Sequence, residues 1–122
     1  MKERDQLTER IIGCCFKVHK DLGPGFNEKI YHNSLMELLD QKGIKYQREK
    51  EFTVFYLDKK MGSFQADLVV EEKVIVEIKS ISGNILTLFE HQLISYLKAS
   101  GFHVGLLINF GNKSCQVKRV VL

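Results

Sequence analysis

Proline occurs once in this chain of 122 residues, at Pro24, and its effect is to stop whatever helix precedes it. Cysteine is scarce as well: Cys14 and Cys15 are adjacent and Cys115 is distant, which makes no disulfide framework. Reduced thiols in a cytoplasmic setting are the expectation. The four histidines, His19, His32, His91 and His103, show no paired ligand spacing, which argues against a zinc site. No apolar run approaches the roughly 18 residues of a membrane span. The opening MKERDQLTER is charged where a signal peptide would turn apolar. Repeats, linkers and low-complexity segments are missing too. Charge of one sign is not in excess: a net +3 permits a polyanionic partner without demanding one. What remains is an ordinary globular composition, 44% hydrophobic and 27% charged, expected to form one domain over residues 1–122.

Helical spacing runs from about Gln6 to Asp21, with Leu7, Ile11, Cys14, Cys15, Val18 and Leu22 on one stripe. Gly23 suits a left-handed cap, and Pro24 ends the segment. A second helix is expected from about Asn27 to Gln41, stopping near Gly43, with Ile30, Tyr31, Leu35, Leu38 and Leu39 inward. Glu28 falls at the start of that inward stripe. A capping charge near the helix dipole would explain it, and so would a functional acid. Ile44 to Leu57 alternates and is β-rich after Glu51, and Asp58 to Gly62 reads as a polar turn. After a loop from Ser80 to Leu86, the capping-box spacing of Thr87 and Glu90 opens a third helix to about Ser100, closed by Gly101. Its stripe is Phe89, Leu93, Tyr96 and Leu97. Strands at about His103 to Phe110 and Cys115 to Leu122 complete the order ααβββαββ. That order is an α/β fold, a mixed sheet flanked by helices. The helical crossover makes strand 74–79 and strand 103–110 parallel neighbours.

Between the first strand and the third helix lies Phe64 to Ser80, FQADLVVEEKVIVEIKS, two strands around a turn at Glu71-Glu72-Lys73. A three-residue loop pairs Val70 with Val74, Leu68 with Val76 and Ala66 with Ile78, which makes one face wholly apolar. The same register sets Asp67 opposite Glu77, side chains about 5 Å apart. Like charges so placed are destabilising unless something neutralises them. Lys79 adds a positive charge on that face, while Val69 and Ile75 indicate that the face is covered. Two hard-oxygen acids and a lysine suit metal-assisted phosphodiester hydrolysis with Mg²⁺ or Mn²⁺. The plainer alternative is a solvated cluster on an exposed sheet. On the third helix Gln92 and Tyr96 are one turn apart and could face one point, although a surface glutamine beside a core tyrosine is common.

These residues carry a resemblance. Asp67 followed by Glu77-Ile78-Lys79 at the end of an apolar strand resembles the PD-(D/E)xK nuclease superfamily. Gln92 and Tyr96 give QxxxY, similar to the helix motif of its RecB-like branch. Gly25-Phe26-Asn27-Glu28-Lys29-Ile30-Tyr31 matches GxxExxY, the pattern that names a small family within the superfamily. The likeness covers nearly the whole chain, in order. It implies a restriction-endonuclease-like core and a metal-dependent nuclease. Asp67 and Glu77, joined by the backbone carbonyl of Ile78, would hold Mg²⁺, and Lys79 would be the catalytic lysine. Glu28 matches the acidic helix residue that completes many such sites, as a catalytic acid and a further candidate ligand. Gln92 and Tyr96 would contact the substrate strand or a site water. Tyr31 and Gly25 would be structural, a ring packed beneath the site and a tight helix entry. Ala66 stands where the superfamily name has proline, a position that supplies backbone geometry.

The implied partner is nucleic acid, DNA before RNA. Lys42, Lys45, Arg48, Lys50, Lys59, Lys60, Lys113, Lys118 and Arg119 offer phosphate contacts, or are simply solvated turns. A chain this small grips little of a duplex, which leaves room for a homodimer or a protein partner. The competing expectation is a non-catalytic nucleic-acid-binding or assembly module that retains the nuclease fold.

Overall fold

The computed structural model describes residues 5–122; Met1–Arg4, part of the charged opening set against a signal peptide, lie outside the described residues. The elements follow the order expected from the sequence: α1 (Gln6–Leu22), α2 (Glu28–Gln41), β1 (Tyr46–Tyr56), β2 (Lys59–Val70), β3 (Val74–Lys79), α3 (Thr87–Ser100), β4 (Val104–Asn109) and β5 (Gln116–Val121). Five strands form one sheet in chain order, with β3 at its centre. All neighbours are antiparallel except β3 and β4, which the α3 crossover makes parallel. Among the described residues no helix is long and apolar enough to cross a membrane.

Two layers of helix bury the sheet. On one side, Ile11, Cys15 and Val18 of α1 and Tyr31, Leu35 and Leu39 of α2 pack on Leu68, Val70, Val74, Val76 and Ile78. On the other, Leu93 and Leu97 of α3 pack on Val69, Ile75 and Leu107. β3 therefore reads as a continuous apolar run interrupted only by Glu77. The α1–α2 connection turns on glycine: Gly23 has φ 74° and ψ 178°, a combination open almost only to glycine. Tyr31 fixes this corner. Wholly buried, it stacks on Phe110 with centroids 4.6 Å apart, donates to the Gly23 carbonyl and accepts from the Phe26 N–H.

Several details depart from the sequence expectation. The first hairpin turns at Leu57-Asp58, both with positive φ, so β2 starts at Lys59 inside the expected turn. Two residues with φ near 50–60° match strand twist, the geometry of the tight primed turn. Thr87 lies within α3 and makes no capping box; Leu86 occupies the cap without a side-chain bond, and Glu90 lies 4.0 Å from Lys118 instead. Ile30 is 40% exposed, and Met36 takes a place in the core. Phe89 and Tyr96 are only partly buried.

The loop after β3 is held by amides. Wholly buried Asn109 accepts from the Ile81 and Gly111 N–H groups and donates to the Ile81 carbonyl and to Gln116. Gly111 is pressed so tightly on this loop that a Cβ would fall 2.1 Å from the Ile81 carbonyl oxygen. Gly111→Ala must push the backbone apart, and we expect urea unfolding to report a loss of about 3 kcal/mol. A stability within experimental error of wild type would contradict this packing.

Candidate nuclease site

Asp67 sits where two strand ladders fail together. The β2–β3 hairpin has the expected register at Val70–Val74, Val69–Ile75 and Leu68–Val76, and then it stops. The expected Asp67–Glu77 and Ala66–Ile78 pairs are not formed. Ala66 instead joins the α3 side of the core with Val69 and Ile75, so the wholly apolar face is one residue shorter than expected. On the other flank, β1 pairs Arg48 with Leu68 and Lys50 with Ala66, skipping Glu49, whose φ is 49°. Asp67 is therefore left without a ladder partner on either neighbouring strand, although β1 resumes the same register at Lys50.

Side chains take over the lost bonds. The Asp67 N–H donates to Glu77 Oε2 at 2.9 Å, and the Ile78 N–H donates to Asp67 Oδ2 at 2.7 Å. The Asp67 carbonyl accepts from His32 Nε2 of α2 at 3.1 Å, which requires the tautomer protonated there. Each acid thus binds the other's strand rather than facing it across a ladder. The second oxygen of each has no hydrogen bond, yet no buried side-chain polar atom among the described residues lacks a partner. Those oxygens therefore reach the surface.

Electrostatics follow from the burial. Glu77 is 6% exposed. Its pKa is pushed up to about 8, first by burial and next by the charge of Asp67; Glu28 adds to the rise, while the Asp67 N–H and Lys79 oppose it. The Tyr96 phenol is raised as well, by burial and then by the charges of Glu77 and Asp67, so it lies within the field of both acids. Its ring stacks on Phe64 with centroids 4.0 Å apart and an angle of 10°. Lys79 makes no ion pair among the described residues; its Nζ lies over the Phe89 ring, 4.3 Å from the centroid.

A cleft of about 400 Å³ opens on the α2 side, lined by Glu28, Lys29, His32, Arg48, Asp67 and Ile78 among others. Glu28, the first residue of α2, is exposed and reaches Glu77 through its charge. Asp67, Glu77, Ile78, Lys79, Glu28 and Tyr96 thus share one region. Gln92 does not join them by any bond and is exposed on α3. His32 and Lys29 escaped the sequence reading as site residues, whereas Arg48 was among the basic residues offered as phosphate contacts. His32 lies one turn after Glu28 on α2, and that i, i+4 spacing was the available signal.

Among the described residues no group of three or more His, Cys, Asp or Glu side chains converges as a metal cage. Two carboxylates and a carbonyl still fit one class of ion. Mg²⁺ takes oxygen ligands, keeps several waters, and is commonly held by one or two carboxylates plus substrate phosphate. The donor set suits it, and Asp67, Glu77 and the Ile78 carbonyl are the residues that would hold it.

A mixed sheet between helices, with two acids and a lysine at the open end of its central strands, defines a nuclease-type α/β protein. The chain belongs to the PD-(D/E)XK nuclease superfamily, whose description matches residues 5–120. No curated protein matches significantly. Among solved structures, the crystal structure of SSO0001 has a TM-score of 0.63 at 20% identity, over 76% of this chain and 48% of that one. The chain thus spans about half the length of that protein, and the likeness supports the fold alone. An alkaline exonuclease from Laribacter hongkongensis aligns over 99% of this chain and 72% of its own, at 8% identity and a TM-score of 0.48, too distant to argue from.

Glu77 links stability to pH. The unfolded carboxyl releases its proton near 4.5 and the folded one near 8, so between these values only the folded protein holds it. Metal-free protein should be stabilised fully below pH 4.5, and lose that contribution as pH rises through 8. In thermal melts across this range, Glu77→Gln should flatten the decline. A variant with the wild-type slope would show that another group titrates.

Proposed function

We propose that this chain is a metal-dependent nuclease that hydrolyses phosphodiester bonds of nucleic acid, DNA before RNA. The observation that carries the reading is the Asp67–Glu77 exchange at the mouth of a cleft, with Lys79 beside it. Within the superfamily, Gly25 to Tyr31 supports membership of the GxxExxY family.

Asp67, Glu77 and the Ile78 carbonyl would hold Mg²⁺, or Mn²⁺, and Glu28, which lines the same cleft as Asp67, is the further candidate ligand. The ion would supply Lewis acidity toward a phosphoryl oxygen and toward the attacking water. Lys79 orients that water or offsets the charge that builds on the phosphate as the P–O bond breaks. Held by a ring rather than an acid, its ammonium keeps all three donors for this task. Lys29 and Arg48 line the cleft and would receive the flanking phosphates. Tyr96 would touch the substrate strand, and Gln92, one turn before it, would do so from the exposed side of α3. His32 orients Asp67 through its carbonyl.

Two outcomes test the reading. Mg²⁺ or Mn²⁺ should raise the melting temperature of wild type, more at pH 8.5 than at pH 6 because the ion needs Glu77 ionised. Asp67→Asn should abolish the shift; equal shifts in both proteins would remove the metal site. Lys79→Ala should keep the metal response while cleavage falls about 10²-fold or more. The assay panel is single-stranded, duplex and branched DNA and RNA with either metal. Wild type that leaves the whole panel uncut would replace the nuclease with a binding module of the same fold.

A further inference from the structure

The β1–β2 hairpin outruns the sheet. β2 pairs with β3 only over Leu68–Val70, whereas its pairing with β1 continues to Tyr56–Lys59. The base of this arm is anchored, since Phe52 stacks on Phe64 and meets Phe102 edge-on. Its tip is bare. Phe55 is 65% exposed, Tyr56 66%, Leu57 76% and Met61 58%, and neither tip ring stacks on another ring. This is the largest concentration of exposed apolar side chains among the described residues, and it has no core to serve.

Register gives the tip its chemistry. Phe55 is the partner of Lys60, and Tyr56 is the partner of Lys59. Directly opposed residues share a face, and successive pairs point to opposite faces. Each face of the tip therefore presents one aromatic ring beside one ammonium group. Asp58 is the single acid between Phe55 and Met61. Ring and cation side by side form the unit that single-stranded nucleic acid binds, with bases stacking on the ring and phosphates on the charge. An apolar partner would gain nothing from lysines placed opposite both rings.

We propose that the tip, Phe55, Tyr56, Lys59 and Lys60, is a docking element for a single-stranded segment of the nucleic-acid substrate. The polymer's identity rests on the nuclease reading; the docking does not depend on cleavage. The arm also sets a distance. Asp67 and Lys60 lie on one strand, seven residues apart, or roughly 23 Å at ~3.3 Å per residue. That is roughly seven nucleotides at the ~3.4 Å spacing of stacked bases. The strand held at the tip would thus lie about seven nucleotides from the scissile bond.

The experiment is fluorescence anisotropy of a labelled single-stranded 20-mer of DNA in EDTA, where nothing is cut, beside a blunt 20-base-pair duplex. Phe55→Ala with Tyr56→Ala should weaken single-strand binding about 100-fold, about tenfold per lost stack, and affect the duplex much less. Lys59→Ala with Lys60→Ala should lower the slope of log affinity against log salt by about 1.4. An unchanged melting temperature is the control for folding, as all four residues are exposed. Wild-type affinity in the ring variant would overturn the docking element while leaving the nuclease reading untouched. Ring-dependent binding by a protein that cuts no substrate would do the reverse. A wild type that binds no oligonucleotide would overturn the docking element as well. So would a sedimenting dimer that the ring variant converts to monomer with no change in DNA binding, which would make the arm a contact between copies.

Discussion

Two carboxylates at the end of the β2–β3 ladder do the hydrogen bonding that the backbone there gives up. A strand pair that simply parted would leave the N–H groups of Asp67 and Ile78 without partners, at about 1–3 kcal/mol for each one buried. Two acids brought together without those donors would suffer desolvation and mutual repulsion. Combined crosswise, each defect answers the other: Glu77 takes the Asp67 N–H, and Asp67 takes the Ile78 N–H. Neither acid can be truncated alone, because losing its acceptor oxygen strands a backbone donor on the opposite strand. The splay is therefore a property of the pair, and the cleft is its geometric consequence.

Position in the sheet explains the rest of the site. The two helical layers are separated by the full thickness of the sheet and meet only where strands end. Asp67 lies inside β2 where the β2–β3 ladder stops, and there α2 reaches it through His32 while Tyr96 of α3 feels its charge. Side chains from opposite layers thus approach the acid pair without any being threaded through the core. The loop leaving β3 must also stay out of the opening. Asn109, the parallel-ladder partner of Lys79, grips Ile81 by both its N–H and its carbonyl and so directs the chain away.

Much of this was legible because punctuation and period agree. Gly23-Pro24, Gly43 and Gly101 close the helices where the apolar spacing ends, and the order ααβββαββ follows. The hairpin register was legible at Leu68 to Val70, where one face must be wholly apolar. It failed at Ala66, because the face rule assumes regular pleating and Asp67 breaks the pleat. A residue-by-residue pattern holds no trace of a residue left without a ladder partner on either flank: Glu49 with positive φ looks like any charged strand residue. His32 was hidden for a related reason. It binds a carbonyl, a group every residue carries, so nothing in its partner's identity announces it. The Leu57-Asp58 turn lacks the asparagine or glycine that marks such turns, and long-range pairing of the arm overrides local preference.

The electrostatic balance of the site turns on what Lys79 does not do. A lysine placed on Glu77 would ionise and satisfy the acid, and a cation arriving later would have to break that pair. Lys79 instead rests on the face of Phe89, an attraction that leaves the ammonium charged and its protons free. Glu77, buried and crowded by Asp67 and by the more distant Glu28, then keeps its proton up to about pH 8. The proton stands in for the cation: it prevents two adjacent carboxylates from both being charged inside the protein. A divalent ion held by the two acids would do the same with twice the charge. A bound cation would therefore compete with that proton for one place in the charge balance. This explains how a chain can carry an acid pair in its core through folding, before any ion is bound.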